Sequence, residues 1–563
     1  MKRFPLLSGL ILGSTFLLLA ATLSNHNLME RLFVHYSYYV MLLLFFVWGA
    51  VLIRYYKAGE ASLVELIRTY WPGILFSLAV TAFIFISVKP YLRILSDEAE
   101  LAAISQSMTY FHRTDAAFTG VNYGYLFRAL DHIIPRRPLL FPFSTNLIHI
   151  LLGYRVNNVF ILNFATLFSL LSIIYYLFRK HLGWAWGFAA VLTVACQPHV
   201  VETATSGGFD LFAILFLFLV FSNVANFMNS PSKGKLEILW IHLILLAHIR
   251  YESPMYAVII LFFLFIWRYI RLDYFKNSYL YPLTPLLVAP IFWQRIVADP
   301  PFNELQGVSA FSLSHLVRHH HIFFDHLLIS YGKPPVATIV NGLGLAGLTL
   351  CLYLFLRNRW LKNVNERRLF FIGFVCMAAL WIITTSYYFS DLSSQSCSRY
   401  YTVFLILLSI FAVLLLHRSE IFKNKKPHLI LTTSLFFFLY HPLTFQDGFT
   451  NALNMTRKVR FTVDFLKEQP TKNFLVVSDI PPHYTIYNMG AISFETATNM
   501  RDKIMEDYGN FLFNDIFVIQ DITPATGKPT EQTSLDADYE LEPVTRLLNS
   551  DETYIQISRV KRP

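Results

Sequence analysis

The stretch SDEAELAAISQSMTYFH (residues 96–112) follows directly on the apolar run WPGILFSLAVTAFIFISVK (71–89). The apolar run is long enough to cross a bilayer, which takes about 20 residues in a helix. Three carboxylates, Asp97, Glu98 and Glu100, therefore stand within a few residues of a membrane-spanning helix. Charged groups near hydrocarbon are costly and usually serve a function. We expect these acids to take part in the function of this protein.

The composition is that of an integral membrane protein. Of the 563 residues, 55% are hydrophobic and only 15% are charged, against about 25% charged residues in soluble domains. The formal net charge is +10, and in a membrane protein this excess first indicates topology, because Lys and Arg collect in cytoplasmic loops. No basic block has interleaved aromatic residues, so we expect no nucleic-acid partner. The four cysteines are scattered and predict neither a disulfide framework nor a zinc site.

Apolar runs of spanning length recur along the chain and predict about thirteen transmembrane helices. They are 5–24, 32–53, 70–89, 155–178, 183–200, 209–228, 236–250, 253–270, 279–297, 336–356, 369–388, 400–417 and 428–445. With the N-terminus inside, alternation of these spans collects Lys and Arg in the inside loops, as the positive-inside rule requires. The fold class we expect is an all-α polytopic membrane protein with a small C-terminal exoplasmic α/β domain.

The same alternation predicts which segments lie on the outer face. They are 90–154, 199–208, 249–254, 298–335, 389–399 and the tail after about 446. The tail contains the strand-like runs NFLVVSDI (473–480) and DIFVIQDI (515–522), with helical patterns between them. We therefore divide the chain into three parts: extra N-terminal transmembrane helices (1–69), a transmembrane catalytic module with a long first outer loop (70–445) and an exoplasmic α/β domain (446–563).

Asp97 and Glu98 fall in the first turn of a predicted surface helix. Its apolar residues recur at helical spacing on one face: Leu101, Ile104, Met108 and Phe111. One interpretation is that the two acids only complement the helix dipole. The other is that the dipole keeps a carboxylate ionised at neutral pH, as a general base requires. Both interpretations stay open at this point.

Further charged residues recur in the other outer segments. They are His199, Glu202 and Asp210 in HVVETATSGGFD (199–210), Arg250 and Glu252 in HIRYESP (248–254), and Arg399 beside Tyr400 in SQSCSRYY (394–401). Each has a plain explanation: an interfacial acid in water, an ion pair at a tight turn, or a snorkelling arginine in an aromatic belt. Together they place carboxylates, which can abstract a hydroxyl proton, near arginines, which bind phosphate bidentately.

The ordered motifs resemble GT-C glycosyltransferases, the multi-span enzymes that take a sugar from a polyprenyl phosphate. SDEAELAAISQSM after a span looks like their Asp-Glu first-loop motif, most similar to the protein O-mannosyltransferase and aminoarabinose-transferase (ArnT-like) branch. ETATSGGFDLFAILFLFLVF resembles that branch's second acidic loop. LILLAHIRYESPMYAVIILF is similar to its helix-turn-helix with a basic and an acidic residue, and SRYYTVFLILL to its late Arg-Tyr segment. The resemblance covers roughly 70–420.

The resemblance implies an inverting transfer at the outer face, from a polyprenyl-phosphate-linked sugar to the hydroxyl of a protein, lipid or glycan acceptor. Asp97 would then be the general base, Glu98 would position it, and Asp210 would support acceptor or donor. The remaining implied roles are donor-phosphate binding by Arg399, Arg250 and Tyr400, and substrate binding by Glu202, Glu252 and His199. We expect a bacterial inner membrane, with the active site facing the periplasm.

Two other motifs resemble ligand sites but have simpler explanations. SLSHLVRHHHIFFDH (312–326) places His315 and His319 one helical turn apart, a spacing that can bind zinc. We favour a His-rich outer loop, predict no metal site and leave a divalent metal cofactor open. GLGLAG (342–347) matches a dinucleotide fingerprint by letters, but it lies in an apolar span, so packing of small residues between helices explains it.

Two other functions compete with sugar transfer. One is a transporter or flippase for a lipid-linked or sugar substrate, and the other is a scaffold whose tail binds partners. Transporters tend to have internal repeats and charges near the bilayer midplane. Here the ionisable residues gather at one face and no repeat is found, so the sequence favours the enzyme.

Overall fold

In a computed structural model, a bundle of apolar helices carries a mixed β-sheet at one end. The residues that the structure describes are 11, 14–15, 25–59, 63–93, 95–123, 126–134, 136–275, 280–297, 309, 311–328, 335–357, 363–387, 392, 395–419, 421, 425–444, 454–535, 539–550 and 553–562. The predicted span 5–24 lies almost wholly outside them.

The elements of the first half are, in chain order, α1 (His26–Lys57), α2 (Leu63–Ser87), α3 (Leu95–Phe111), β1 (Ala116–Tyr123), β2 (Leu126–Ile133), α4 (Leu140–Leu152), α5 (Asn158–Leu182), α6 (Trp184–Ala195), α7 (Pro198–Ala204), α8 (Asp210–Asn229), α9 (Lys233–Ala247) and α10 (Ser253–Ile266). Those of the second half are α11 (Ala289–Val297), α12 (Leu313–Leu328), α13 (Pro335–Leu356), α14 (Val364–Ser386), α15 (Thr402–Arg418), α16 (Lys426–Thr444), α17 (Asn454–Lys467), β3 (Phe474–Val477), α18 (Pro482–Thr485), β4 (Gly490–Ile492), α19 (Phe494–Asn499), α20 (Arg501–Gly509), β5 (Asp515–Ile522), β6 (Leu541–Ser550) and β7 (Thr553–Val560). Short 3-10 helices occupy Leu272–Phe275, Tyr281–Leu287, Gln395–Tyr401 and Glu531–Thr533.

The helices make this chain an integral, multi-pass membrane protein. Within the described ranges, seven helices are long and apolar enough to cross a membrane, and α6 with α7 adds an eighth if their 75° bend lies within one span. The short pair α9 and α10, of 15 and 14 residues, forms the predicted hairpin around HIRYESP. The predicted span 279–297 is a 3-10 helix followed by α11, because Pro282, Pro285 and Pro290 interrupt helical hydrogen bonding. The total of thirteen spans stays a prediction.

Two glycines of α13 allow this helix to approach α15 closely. A Cβ atom at Gly344 would overlap the backbone of Leu408, and one at Gly347 would overlap the carbonyl oxygen of Phe411. Small residues at such positions are a common device of helix packing in membranes. The interpretation of GLGLAG as a packing motif is thereby confirmed.

Gly344→Ala is expected to destabilise the protein by about 1–3 kcal/mol, because the added methyl group meets backbone that cannot move without separating the two helices. Gly342→Ala is the matched control. It is the same change two residues earlier, where nothing lies within 4 Å of the new Cβ, and alanine is the better helix former. Thermal melts of both variants in one detergent test this, and equal melting temperatures would contradict the close approach.

The helix α3 confirms the predicted helix at the start of the first outer loop, and protein covers more of it than its apolar spacing indicates. It packs against α4 and against α18 of the tail, and even its polar Ser105, Gln106 and Ser107 are buried. Phe111, which the spacing placed on one face with Leu101, Ile104 and Met108, is 47% exposed at the end of the helix. Protein covers the helix on several sides, so its apolar spacing alone does not account for its burial.

The tail forms an α/β unit, and strands β3 and β5 lie within the two predicted runs. The sheet has seven strands in the order β2-β1-β4-β3-β5-β7-β6, and only β4, β3 and β5 run parallel. Strands β1 and β2 come from the first outer loop, and β1 meets β4 where Gly120 faces Ala491. The loop and the tail therefore share one sheet, which holds α3 against the tail.

Polar contacts strengthen this junction. The Gln106 side chain donates to the carbonyl oxygen of Thr485 at 2.9 Å, and Tyr154 donates to that of Ile486 at 2.6 Å. These bonds join the first outer loop and the segment before α5 to the tail near α18. The helix that carries Asp97 is thus joined to the tail by hydrogen bonds as well as by the shared sheet.

Candidate functional site

Asp97 lies at the centre of a buried ion-pair cluster. Its side chain is in the first turn of α3, and the residue is only 4% exposed. One carboxylate oxygen accepts a hydrogen bond from Arg137, and the other accepts one from Arg399. Arg137 precedes α4, whereas Arg399 belongs to the 3-10 helix before α15. Three segments that are far apart in sequence therefore meet at one carboxylate.

Opposing effects act on the pKa of Asp97. Burial raises this pKa, but Arg399 and Arg137 together outweigh burial, so the pKa lies below the usual value of 3.8. The carboxylate is ionised at neutral pH, as a general base requires. Its proton affinity is low as long as both arginines hold it.

Glu100 lies one turn further along α3 and shares Arg137 with Asp97. Its Oε2 is 3.3 Å from Nε of Arg137, and its other oxygen accepts a hydrogen bond from the backbone N–H of Arg136. Burial raises the pKa of Glu100 above its usual value of 4.5, although Arg137 opposes this effect. Neighbouring carboxylates with opposite pKa shifts are typical of sites that separate acid and base roles.

Asp210 is the centre of a second group of ion pairs, which Arg399 connects to the first. It begins α8, is buried, and accepts a hydrogen bond from Arg250. Nη1 of Arg399 lies 3.9 Å from Oδ2 of Asp210. Arg250 also pairs with Glu252, so the plain explanation of these two residues as an ion pair is confirmed. Arg399 therefore stands between Asp97 and Asp210.

Tyr400 lies beside both arginines. Its ring centroid is 5.2 Å from the guanidinium carbon of Arg399 and 5.3 Å from that of Arg250. Such cation–π contacts stabilise by about 0.5–1 kcal/mol at exposed sites and by more in desolvated ones. The three residues predicted to bind the donor phosphate are thus neighbours, while that role itself stays a prediction.

Glu98, next to Asp97 on α3, is 1% exposed and binds backbone groups beside the cluster. Its Oε2 accepts hydrogen bonds from the backbone N–H groups of Arg93 at 2.7 Å and Gly207 at 2.9 Å. Gly207 lies in the turn before Asp210, so Glu98 ties the first turn of α3 to the segment that carries the second acid. This geometry suits the positioning role predicted for Glu98.

His199 and Glu202, two of the residues predicted to bind substrate, are buried on α7. This helix packs against the 3-10 helix Gln395–Tyr401, which contains Arg399. The two side chains therefore lie on an element that supports the cluster. Their contacts with a substrate, like those of Glu252, stay predictions.

The His-rich segment forms the helix α12. The rings of His315 and His319 stack with centroids 5.8 Å apart, and Nδ1 of His319 is 3.1 Å from the carbonyl oxygen of Thr385. Among the residues whose positions are described, no group of three or more His, Cys, Asp and Glu side chains could hold a metal ion. The structure therefore gives no support for a metal at these histidines.

Sequence reasoning missed Arg137 and assigned no role to Glu100. A signal was present in IIPRRP (133–138), because two adjacent arginines in a predicted outer loop run against the positive-inside rule. It also missed Arg93, which is fully buried, lies over the Tyr91 ring at 4.1 Å and donates to Thr205 at 2.8 Å. The partners of buried arginines come from distant segments, so no local pattern identifies them.

The bundle, the acidic loop before α4 and the mixed-sheet tail together have a fold similar to that of solved ArnT structures. The chain is similar to ArnT from Cupriavidus metallidurans bound to undecaprenyl phosphate, with a TM-score of 0.51 and 13% identity over 86% of this chain and 97% of that one. The apo state of that protein matches with a TM-score of 0.51 and 13% identity, over 87% and 98% of the two chains.

A third structure, the oligosaccharyltransferase of Archaeoglobus fulgidus in complex with zinc and sulfate, reaches a TM-score of 0.40 at 12% identity, over 82% of this chain and 74% of that one. No family model matches the sequence, and no curated protein matches it. The likeness is therefore one of fold.

Proposed function

We propose that this protein is a membrane glycosyltransferase that moves a sugar from a polyprenyl-phosphate donor to an acceptor hydroxyl, with inversion at the sugar. The observation that carries the proposal is the buried cluster of Asp97, Asp210, Arg250 and Arg399, which unites four separate segments. The fold likeness to ArnT, a protein crystallised with undecaprenyl phosphate, supports this class of donor.

In this proposal, donor binding exchanges the partners of the arginines. Arg399 and Arg250 are both paired with carboxylates, so a phosphate that binds Arg399 replaces Asp97 as its partner. Arg137 still holds the other oxygen of Asp97 and keeps the carboxylate oriented. Loss of one cation raises the pKa of Asp97 towards its usual value, so the donor itself makes Asp97 a stronger base.

The transfer then proceeds as a single displacement. Asp97 takes the proton of the acceptor hydroxyl while the hydroxyl oxygen forms a bond to the anomeric carbon. The bond from that carbon to the phosphate oxygen breaks, and the polyprenyl phosphate leaves with the electron pair. Arg399 and Arg250 stabilise the negative charge that develops on the leaving phosphate.

The position of the cluster favours an enzyme over a transporter. Asp210 lies in the first turn of α8, Arg399 lies in the 3-10 helix directly before α15, and Arg250 follows the last turn of α9. The cluster therefore lies at one end of the bundle, and a transport pathway would need ionisable groups nearer the middle of the helices.

Two measurements test the proposed function. Purified protein in nanodiscs should release polyprenyl phosphate from a sugar-loaded donor when an acceptor is present. Mass spectrometry of glycans, glycolipids and glycoproteins from cells with and without the gene identifies the acceptor and the sugar. A folded protein that moves the intact lipid-linked sugar across the bilayer, without cleaving it, would establish the transporter instead.

We also propose that the cluster and the tail face the periplasm. Asp502→Cys in the tail, where the side chain is 97% exposed, should react with a membrane-impermeant maleimide added to whole cells with a permeable outer membrane. Arg357→Cys, at the far end of α13, should react only after the inner membrane is opened. The four native cysteines are buried and provide a low background. The reverse labelling pattern would overturn the orientation.

Arg137→Gln is expected to move the acid limb of the kcat/KM profile to higher pH. In the wild type, Arg399 and Arg137 hold the pKa of Asp97 below its usual value, so the base stays ionised until the solution is strongly acidic. Removal of one cation raises that pKa, so protonation inactivates the base sooner as the pH falls. Arg137→Lys should restore most of the profile because it keeps the charge. A profile identical to that of the wild type would show that Arg137 does not act through Asp97.

A further inference from the structure

A cavity of about 500 Å³ lies at the end of the bundle opposite the cluster. Helix α15 begins at Thr402, two residues after Tyr400, and its 17 residues end at Arg418, which lines this cavity. At 1.5 Å per residue, about 25 Å separates the two ends of the helix. The cavity is therefore separate from the candidate active site.

The cavity lies next to the close approach of α13 and α15. The two backbones are in contact at Gly344 and Gly347, and Gly347 lines the cavity. One and two turns beyond Gly347, the same helix carries Leu350 and Leu354, which also line it. These leucines, together with Leu414 of α15 and Trp186 of α6, give the cavity an apolar wall.

The mouth of the cavity is basic. It is lined by His417 and Arg418 at the end of α15 and by Lys426 at the start of α16. Arg418 and Lys426 are exposed, and no described carboxylate lies within salt-bridge distance of either. None of the described residues that line the cavity is acidic. An apolar wall beneath these cations complements an amphiphile with an anionic head.

We propose that this cavity binds an anionic phospholipid, with its acyl chain against Trp186 and the leucines and its phosphate at Arg418 and Lys426. Basic pockets between transmembrane helices bind anionic headgroups, and juxtamembrane cations attract them further. The apolar wall would not serve a free phosphate. A donor lipid bound here could not react, because the cavity is about 25 Å from Asp97 along α15. The inference does not depend on the proposed transfer reaction.

Quenching of Trp186 fluorescence by brominated lipids tests the proposal. The full-length protein is placed in phosphatidylcholine nanodiscs that contain increasing fractions of brominated phosphatidylglycerol or brominated phosphatidylcholine. The difference between wild type and Trp186→Phe isolates the signal of Trp186 from that of the other tryptophans. We expect half-maximal quenching at about a 25-fold lower fraction of phosphatidylglycerol, since each basic residue near an anionic head contributes roughly fivefold.

The double variant Arg418→Gln, Lys426→Gln should abolish this preference. Arg357→Gln is the matched control, because Arg357 follows α13 at the same end of the bundle and does not line the cavity. It should keep the preference. Should the double variant not fold, Lys426→Gln alone should reduce the preference roughly fivefold.

Three results would overturn the proposal. The first is equal quenching by both lipids in the wild type. The second is a loss of preference in Arg357→Gln as large as in the double variant, which would indicate a diffuse surface charge effect. The third is competition by soluble glycerol phosphate, which would indicate a site for the headgroup alone. No effect of glycerol phosphate at millimolar concentration supports a lipid.

Discussion

Asp97→Asn is expected to lower the rate of sugar transfer by about 10²–10⁴-fold, which is the usual contribution of a general base. The asparagine keeps the shape and the hydrogen-bonding oxygen of the side chain but cannot accept the proton of the acceptor hydroxyl. Donor binding should survive, because Arg399 and Arg250 would hold the phosphate. The measurement is the turnover of a polyprenyl-phosphate sugar by the purified variant at saturating donor.

Folding has to be measured in the same experiment. Asp97 is buried between Arg137 and Arg399, and removal of its charge leaves two partly buried cations short of a partner, which is destabilising in itself. Asp97→Glu keeps the charge but moves the carboxylate by one methylene, so we expect a stable protein with strongly reduced turnover. Melting temperatures of both variants separate loss of the base from loss of the fold.

Glu100→Gln is the matched control for Asp97→Asn. Glu100 lies one turn away on the same helix and shares Arg137 with Asp97, so the change perturbs the same network. We expect it to cost much less than Asp97→Asn. If folded Asp97→Asn turns over at close to the wild-type rate and Glu100→Gln is inactive, the base is Glu100, whose pKa burial raises. If both variants are active, Asp210 becomes the next candidate.

Arg399→Gln is expected to weaken the binding of undecaprenyl phosphate at least about 30-fold, because truncation of one partner of a buried charge pair typically costs 2–5 kcal/mol. Arg399 is the residue that reaches both Asp97 and Asp210, so a phosphate in the cluster would contact it. Arg399→Lys should be intermediate, since a lysine keeps the charge but loses the planar fork of donors. Titration of nanodisc-embedded protein with undecaprenyl phosphate gives the affinities.

Arg137→Gln removes an equal charge from the same cluster and serves as the control for binding. Arg137 holds the opposite oxygen of Asp97 and Glu100, so it orients the carboxylates, and its loss should change the affinity only a few-fold. An unchanged affinity in Arg399→Gln would remove Arg399 from the phosphate site. An equal loss in both variants would show that the overall charge of the cluster, and no single residue, attracts the phosphate.

Several features were predictable from the sequence because their signals are local. The apolar runs that became α2, α5, α8, α13 and α15 have about the length a bilayer requires, and their composition alone identifies them. The acids of SDEAELAAISQ, the interfacial Arg399 and the pair of Arg250 with Glu252 stand out because charge is rare in such surroundings. Even GLGLAG was assignable to packing from its place in an apolar run.

Other features depended on contacts that no local pattern records. The sheet of the tail includes β1 and β2 from the first outer loop, and the pairing of Gly120 with Ala491 joins residues hundreds of positions apart. The burial of α3 depends on such contacts too, because α4 and α18 cover faces that helical spacing alone would leave to solvent.

The sequence by itself determined that this protein spans the membrane several times and carries acids and arginines in the loops at the ends of its helices, since hydropathy and charge are properties of single residues and their neighbours. Only the tertiary structure decided which of these charges meet. It placed Arg137 and Arg399 on opposite oxygens of Asp97 and brought Glu98 to the turn before Asp210. Burial and the arginines then set the pKa values of Asp97 and Glu100 in opposite directions. Ion pairing acts through space over a few ångströms, so its partners are set by how the helices pack.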